Sequence, residues 1–248
     1  MSDIITSLTI NMRNSIIVPA YNEEKRFSKF IPDLIRFIKK TIPDSELIVV
    51  DDGSKDATRK KVFQMIKNGR AERFAKIIGY PNNKGKGNAV SYGVKAAKGD
   101  KILFVDADGS IPPEEIPKLL EKLDEYDFVA GSRLIKGAKI KTNFLRRTFS
   151  FGFNLFVSIL FQYSYRDNLC GFKGFKKEIA KKLFSNLCDK RWLFDVELFY
   201  KAKKNNFSVY FLPIEWHHVG GSRINLFTDP PKWFMRLFKL RIHLNNYN

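Results

Sequence analysis

The sequence is poor in the residues on which several protein classes depend. It contains two cysteines, Cys170 and Cys188, and three histidines among 248 residues. Two cysteines cannot build the disulfide framework of a small secreted domain, and no Cys-x-x-Cys or Cys/His cluster predicts a zinc site. The opening segment MSDIITSLTINMRN has no long apolar run. We therefore expect no signal peptide and a reducing compartment.

Two common nucleotide-binding motifs are also missing. No Gly-x-Gly-x-x-Gly follows the first predicted strand, which argues against a dinucleotide-binding site. No Gly-x-x-x-x-Gly-Lys-Ser/Thr loop is present, and the Gly-rich segment NKGKGNA (83–89) has the wrong spacing for one. Any nucleotide must therefore be bound by other means.

Positive charge is concentrated in the second half of the chain. The sequence has 44 Lys and Arg against 26 Asp and Glu, a formal net charge of +18. Residues 133–248 hold 22 of the basic residues but only 7 of the acidic ones. We expect this half to meet an anionic partner, which could be nucleic acid, a phosphorylated substrate or a membrane surface.

Apolar, β-branched runs alternate with helical patterns through the first half. Strands are predicted at 15–21, 46–52, 75–80, 101–108 and 127–131. Because helices of about ten residues separate these strands, the pattern predicts an α/β protein with a mostly parallel, Rossmann-like sheet flanked by helices. Ligands of such sheets bind beyond the carboxyl ends of the strands.

Three of the predicted strand ends are acidic: PAYNE (19–23), DDGS (51–54) and DADGS (106–110). One Asp-x-Asp alone is more often a turn, and Asp-Gly-Ser is a good turn or helix cap. Three such ends on one edge of one sheet instead favour a site for a nucleotide and its metal. Asp106 and Asp108 could bind Mg²⁺ or Mn²⁺, which prefer oxygen ligands.

Several motifs in order resemble those of glycosyltransferase family 2, which has the GT-A fold: VPAYNEE, VVDDGSKDAT, NKGKGNAV, FVDADGS and AGSR. The later segments CGFK, RWLFDVEL and EWHHVGGSRI resemble its branch of dolichyl-phosphate β-glucosyltransferases, which is close to the dolichyl-phosphate mannose synthases. The resemblance covers residues 14–242. It implies that residues 1–132 bind a nucleotide sugar and that residues 133–248 bind the acceptor.

The resemblance also implies a role for individual residues. The nucleotide-sugar donor would be bound by Pro19, Tyr21, Glu23, Val49, Asp51, Asp106, Ala107 and His217. The metal would be bound by Asp106, Asp108 and Ser110. Asp108 would be catalytic as well as a metal ligand. Arg133, Arg147 and Arg223 are the further catalytic candidates, proposed because arginine binds phosphate bidentately and could hold an anionic acceptor.

Three of these positions depart from the mannose synthases. Ser110 stands where those enzymes can have a glutamine, and it is a weaker metal ligand. His217 replaces an arginine and Arg223 replaces a lysine. These departures favour a uridine donor over a guanine nucleotide.

The reaction implied is inverting transfer of glucose from UDP-glucose to dolichyl or polyprenyl phosphate. A phosphate monoester is largely dianionic at neutral pH, so it needs arginines to hold it rather than a general base. A glycan hydroxyl acceptor would instead need Asp195 or Glu197 as the base. N-acetylglucosamine or mannose as the donor sugar stays open.

The competing hypothesis is a protein of a different class, one that binds nucleic acid. Charge alone would allow it, since neutralising phosphates drives nonspecific affinity. The acidic strand ends would repel a phosphate backbone, however, and no recognised nucleic-acid motif is present. We therefore expect no specific nucleic-acid partner.

Two segments predict contact with an anionic membrane surface. Thr148–Tyr165 is uncharged over 18 residues, the lower limit for a transmembrane helix, but polar residues recur at every fourth position. This spacing is typical of an amphipathic helix that lies in an interface or packs on the protein. A second helical pattern follows Pro230-Pro231 and mixes aromatic with basic residues. We expect peripheral attachment at the cytoplasmic face, without a transmembrane helix.

Overall fold

The computed structural model describes residues 12–141, 144–163, 167–217 and 230–245, with side chains left out for 141–150 and 230–232. Its strands are β1 (Asn14–Ala20), β2 (Ser45–Asp52), β3 (Ala75–Tyr80), β4 (Lys101–Val105), β5 (Phe128–Ser132), β6 (Lys139–Lys141), β7 (Phe172–Lys176), β8 (Val209–Pro213) and β9 (Glu215–His217). Its helices are α1 (Phe27–Thr41), α2 (Thr58–Asn68), α3 (Lys86–Ala96), α4 (Glu115–Glu125), α5 (Phe144–Phe161), α6 (Lys177–Phe184), α7 (Phe194–Lys204) and α8 (Pro230–Asn245).

Seven strands form one sheet in the order β3-β2-β1-β4-β7-β5-β8, and β6 pairs with β9 in a small second sheet. The pairs β1–β2, β2–β3, β1–β4 and β5–β8 are parallel, whereas β7 runs antiparallel to both β4 and β5. The predicted α/β fold with a mostly parallel sheet is confirmed. One sheet contains strands from both sides of residue 132, and the division of tasks at that residue stays a prediction.

The two faces of the sheet carry separate layers of helices. Because successive side chains of a strand point to opposite faces, Leu47 and Val49 of β2 pack with α1, α2 and α4. Ile48 and Val50 pack on the other face, where α3, α5, α6, α7 and α8 lie. Whether a residue of β2 has an odd or an even number therefore decides which layer of helices its side chain contacts.

The predicted fourth strand is too long. β4 ends at Val105, so Asp106, Ala107 and Asp108 lie in a turn beyond it. Gly109 has a positive φ of 71° in this turn, and Asp108 Oδ1 accepts a hydrogen bond from Ser110 N at 2.9 Å. The turn ends the strand because its conformation and its local side-chain bond are both incompatible with a continued ladder.

Across the described part of the chain, no helix combines the length and apolar character needed to cross a bilayer.

Candidate active site

The strand order reverses between β1 and β4, and the residues beyond their carboxyl ends meet at one edge of the sheet. Tyr21 follows β1, and Asp51 lies at the end of β2, opposite Ala20 in the strand register. Arg133 follows β5 at the same edge, since β5 runs parallel to β4. Most of the predicted site residues that the structure describes are thus brought to one edge.

The loops after β1 and β2 are joined to one another by hydrogen bonds. Asn22 N donates to Ser54 Oγ at 2.9 Å, and Glu23 N donates to Thr58 Oγ1 at 2.7 Å. Asp51 Oδ1 accepts a bond from Ser54 N at 3.0 Å. These bonds shape the region that the resemblance assigns to the nucleoside.

Two residues predicted to contact the donor are buried strand residues. Pro19 lies in β1, and Val49 of β2 is fully buried in the core. Their side chains do not reach the surface of the edge, so they could meet a ligand only through the backbone. Ala107 is also buried, in the turn after β4. The roles of all three in donor binding stay predictions.

The three predicted metal ligands lie together in the turn after β4. Asp106 and Asp108 supply two carboxylates, and Ser110 is buried. Within the described residues, Ser110 Oγ is one of few buried side-chain atoms without a hydrogen-bond partner. The donor set is therefore oxygen only, which suits Mg²⁺ or Mn²⁺.

This donor set would need further ligands from a substrate. In the described ranges, no group of three or more His, Cys, Asp or Glu residues could hold a metal ion by itself. Mg²⁺ is commonly held by one or two carboxylates together with substrate phosphates. The residues present thus fit a metal shared with a diphosphate.

Lys86 is the residue of this site that sequence reasoning missed. Its Nζ lies 2.6 Å from Asp106 Oδ1, and its side chain is only 11% exposed. The rings of Phe104, Trp192 and Phe194 surround the ammonium group at 5.6–5.9 Å from their centroids. The segment NKGKGNA is interpreted in the sequence as a family motif and as a poor match to a phosphate loop, and neither interpretation singles out its second lysine.

Charges of both signs are concentrated around Asp106 and Lys86. Burial raises the pKa of the Asp106 carboxyl, and Asp108 and Asp195 raise it further, although Lys86 acts in the opposite direction. Burial lowers the pKa of the Lys86 ammonium, but the carboxylates of Asp106, Asp195 and Asp108 outweigh this effect, and its pKa is raised. Lys86 is thus a firmly charged cation among three carboxylates.

Gly171 makes room for the Asp106 side chain. A Cβ atom at residue 171 would lie 1.9 Å from Asp106 Oδ2. The backbone cannot easily move apart, because Asp106 N donates to Gly171 O at 3.0 Å. Only glycine fits here, owing to this close approach.

The sequence leaves two roles for Asp195: a base for a glycan hydroxyl acceptor, or a residue that orients a basic residue or the donor sugar. It lies in the first turn of α7 and forms a buried ion pair with Lys173, at 2.6 Å between Oδ1 and Nζ. Lys173 Nζ also donates to the carbonyls of Cys170 and Asn168, at 2.6 and 3.0 Å. All three protons of this ammonium group are therefore used, and Asp195 does orient a basic residue.

Glu197, the other predicted base, supports a loop. Its carboxylate accepts bonds from Cys188 N and Asp189 N and pairs with Lys201 Nζ at 2.8 Å. The side chain is fully buried. These contacts argue against its use as a general base.

Arg133 is anchored by a bidentate ion pair with Asp167. Its Nε donates to Oδ2 at 2.9 Å and its NH2 to Oδ1 at 2.8 Å, while NH1 takes part in neither bond. Burial lowers the pKa of the guanidinium, but Asp167 outweighs this effect and raises it. The guanidinium also lies 5.6 Å from the centroid of Trp216. Its predicted contact with an acceptor phosphate stays a prediction.

Of the remaining predicted residues, the structure describes His217 fully, Arg147 in its backbone alone and Arg223 not at all. His217 N donates to Ser110 O at 2.9 Å, which places β9 against the metal-ligand turn. The His217 ring pairs with Glu215 at 2.8 Å. Arg147 lies on α5 but its side chain is outside the described residues, and so is all of Arg223.

A doubly wound sheet with an Asp-x-Asp turn beyond β4 defines the class of the protein. It is a glycosyltransferase with the GT-A fold. The family model described as "Glycosyl transferase family 2" matches residues 15–184, and the chain belongs to this family.

Named relatives are similar over most of the chain. The dolichyl-phosphate beta-glucosyltransferase of Dictyostelium discoideum is 34% identical over 244 residues, which cover 93% of this chain and 74% of the relative. The Homo sapiens enzyme of the same name is 34% identical over 224 residues, or 85% of this chain and 69% of the relative.

A solved structure supports the fold. The glucosyl-3-phosphoglycerate synthase of Mycobacterium tuberculosis, in complex with Mn²⁺, uridine-diphosphate and phosphoglyceric acid, matches 93% of this chain and 78% of its own. The TM-score is 0.69 and the sequence identity 17%.

Proposed function

We propose that the protein transfers glucose from UDP-glucose to dolichyl phosphate or a related polyprenyl phosphate, with inversion at the anomeric carbon. The observation that carries this proposal is the oxygen-donor turn of Asp106, Asp108 and Ser110 beside the Lys86 ammonium. This arrangement suits a metal-bound diphosphate. The similarity to dolichyl-phosphate beta-glucosyltransferases supports the sugar and the acceptor.

The donor half would stabilise the departing diphosphate. A bound Mg²⁺ or Mn²⁺ would supply positive charge to the leaving UDP. Lys86 adds a second cation at the same place, and Asp51 faces the uracil base. An oxygen of the acceptor phosphate forms the new bond to the anomeric carbon as the bond to the diphosphate oxygen breaks, so UDP leaves. The acceptor is already a dianion, and no proton has to be removed from it.

The acceptor half would hold a second anion near the first. Arg133 would present its NH1 edge to the acceptor phosphate while Asp167 fixes the rest of the guanidinium. Arg147 and Arg223 are further candidates for the same task, because they are arginines in the basic second half of the chain. In this proposal residues 1–132 bind the donor and residues 133–248 bind the acceptor.

A lipid-linked acceptor fits an exposed apolar surface on α5 and α8, which we call the α5–α8 face. Its large side chains are 51–70% exposed: Phe151, Leu155, Ile159, Met235, Phe238 and Ile242. The two helices are packed together, with the rings of Phe156 and Phe234 4.6 Å apart. A group of large exposed apolar side chains on two adjacent helices is typical of an interaction or membrane site.

The polar stripe predicted on α5 faces inwards in part. Asn154 is buried, and its Oδ1 accepts bonds from Asn168 N and Nδ2, both at 2.8 Å. Between residues 151 and 161, the solvent side of the helix therefore consists largely of apolar residues. Exposed Lys239 adds positive charge on α8, and the chain carries a net charge of +18. We propose an anionic membrane surface as the occupant of the α5–α8 face.

The direct test is transfer of radiolabelled sugar to dolichyl phosphate in vesicles. UDP-glucose, UDP-N-acetylglucosamine and GDP-mannose would be compared, each with Mn²⁺ and with chelator. We expect labelling of the lipid from UDP-glucose alone, lost with chelator. Labelling of an added glycan without labelling of the lipid would overturn the proposed acceptor, and labelling from another donor would overturn the proposed sugar.

Removing the apolar side chains of α5 should weaken membrane binding. The triple variant Phe151→Ser, Leu155→Ser, Ile159→Ser should partition into anionic vesicles at least about tenfold less, since each buried side chain contributes roughly 1.5–3 kcal/mol. Phe63→Ser on α2 is the matched control, because Phe63 is 59% exposed and lies on the opposite face of the sheet. Vesicle sedimentation measures both. Equal binding of the triple variant and the wild type would show that α5 does not meet lipid.

A further inference from the structure

We infer that Asp52, the second acidic residue of the DDGS segment, is a positioning residue that sets the loop before α3 and so places the Lys86 ammonium against Asp106. The inference deepens the proposed function and rests on it, because there Lys86 faces the donor diphosphate. The family resemblance places Asp51 among the donor-binding residues and gives Asp52 no role.

The two neighbouring aspartates serve opposite sides of the sheet. Successive side chains of a strand alternate, so Asp51 shares its face with Val49 and Asp52 shares its face with Val50. Asp51 accordingly meets residues of the α2 side, with Oδ2 3.8 Å from Arg59. Asp52 is directed to the layer that contains α3.

The Asp52 carboxylate is buried and accepts hydrogen bonds from four residues. Oδ1 accepts bonds from Tyr80 hydroxyl at 2.7 Å and from Lys84 N at 2.8 Å. Oδ2 accepts bonds from Asn83 Nδ2 at 2.7 Å and from Gly85 N at 2.9 Å. Three consecutive residues immediately before Lys86 are thereby tied to a single carboxylate.

The other side of this loop is held by the segment before α7. Gly85 has a positive φ of 102°, and a Cβ atom there would lie 2.5 Å from Lys190 O. Gly87 N and Asn88 N donate to Arg191 O and Lys190 O, both at 3.0 Å. These first amides of α3 are therefore occupied by protein carbonyls. The Lys86 side chain, rather than the helix N-terminus, is what this segment offers to a phosphate.

Because the loop is held on both sides, the backbone position of Lys86 is fixed. Its Nζ reaches Asp106 Oδ1 at 2.6 Å through a side chain packed among aromatic rings. Displacement of catalytic groups by about 1 Å can cost about 100-fold in rate. A carboxylate that holds the loop therefore acts on the reaction through Lys86.

Glu46 provides a matched control for a purely structural role. It is a buried carboxylate on the same strand and the same face, at the opposite end of β2. It accepts bonds from Ser15 Oγ at 2.7 Å, Lys98 N at 2.6 Å and Lys76 Nζ at 3.0 Å. Glu46→Gln should destabilise the fold as Asp52→Asn does, but at a distance from the site.

The experiment is a double-mutant cycle of Asp52→Asn and Lys86→Met in the full chain. Asparagine keeps the size of Asp52 but turns an NH₂ group towards two of the present donors. UDP affinity is measured by calorimetry, kcat and KM for UDP-glucose by lipid labelling, and Tm by thermal unfolding. Calorimetry needs neither sugar transfer nor the lipid acceptor.

We expect Asp52→Asn to weaken UDP binding about tenfold and to raise KM for UDP-glucose. Lys86→Met should have the larger effect, and the double variant should be within about twofold of Lys86→Met alone, because the two residues act as one unit. Glu46→Gln should lower Tm and leave UDP affinity unchanged.

Other results would separate the inference from the proposed function. Effects of Asp52→Asn and Lys86→Met that multiply in the double variant would overturn the positioning role. So would a lowered Tm with unchanged UDP affinity in Asp52→Asn. If the wild type bound GDP instead of UDP, the proposed donor alone would be overturned. The same double-mutant cycle, with GDP affinity as the measured quantity, would still decide the role of Asp52. Failure to bind either nucleotide would overturn both.

Discussion

Replacing Asp106 with asparagine should reduce sugar transfer about a thousandfold, the loss expected when a main electrostatic contact of the transition state is removed. The change keeps the size of the side chain but removes its negative charge. A metal would lose one of two carboxylate ligands, and Lys86 would lose its partner at 2.6 Å. The measurement is kcat for lipid labelling at saturating donor and Mn²⁺.

Asp100→Asn is the control for this prediction. Asp100 is an exposed residue just before β4, and its nearest approach to Lys177 Nζ is 4.0 Å. An exposed pair of this kind contributes little to stability, so activity and Tm should stay at wild-type values. If Asp106→Asn retained a tenth of the activity or more, Asp106 would have no place among the metal ligands.

The sequence predicts the sheet edge well because the strands of the first half have clear local patterns. β-branched runs end in Asp and Gly, and parallel strands bring such ends together. Asp106 and Asp108 could therefore be found without any structure. The exact end of β4 could not, since the Asp-Ala-Asp turn follows a run that is apolar up to its last residue.

The antiparallel strand β7 could not be predicted. Its sequence FKGFK contains two lysines and a glycine, which do not indicate a strand at the centre of a sheet. Lys173 is tolerated there because Asp195 and two carbonyls use all its protons. Asp195 lies 22 residues from Lys173 in the sequence, and the two carbonyls belong to the loop just before β7, so no local pattern predicts this set of partners.

Tertiary contacts refine the interpretation of two charged residues. Arg133 is predicted to bind phosphate, and the structure adds that its Nε and NH2 are bound to Asp167, which makes NH1 the edge assigned to the acceptor phosphate. Glu197 was considered a base and is instead a support for a loop. In both cases the residue type indicated a charge, but its partner is set by the folded structure: Asp167 lies 34 residues from Arg133, and the amides bound by Glu197 belong to the loop before α7.

Replacing Gly171 with alanine should reduce activity at least about 100-fold, although it adds a single methyl group outside the predicted site. The added Cβ would lie 1.9 Å from Asp106 Oδ2 and 2.2 Å from its Cγ. Because the backbone bond between these residues resists separation, the Asp106 carboxylate must turn away from Lys86 and Asp108. The measurement is kcat, with Tm and Mn²⁺ binding in the presence of UDP.

Gly152→Ala is the matched control for that change. Gly152 lies on α5, and a Cβ there would meet no atom within 4 Å. Alanine favours a helix over glycine by about 1 kcal/mol, so this variant should be at least as stable as the wild type and equally active. If Gly171→Ala kept wild-type activity and metal binding, the sugar transfer would not depend on the Asp106 carboxylate being held beside Lys86. The metal-bound diphosphate would then have to be placed elsewhere on the edge of the sheet.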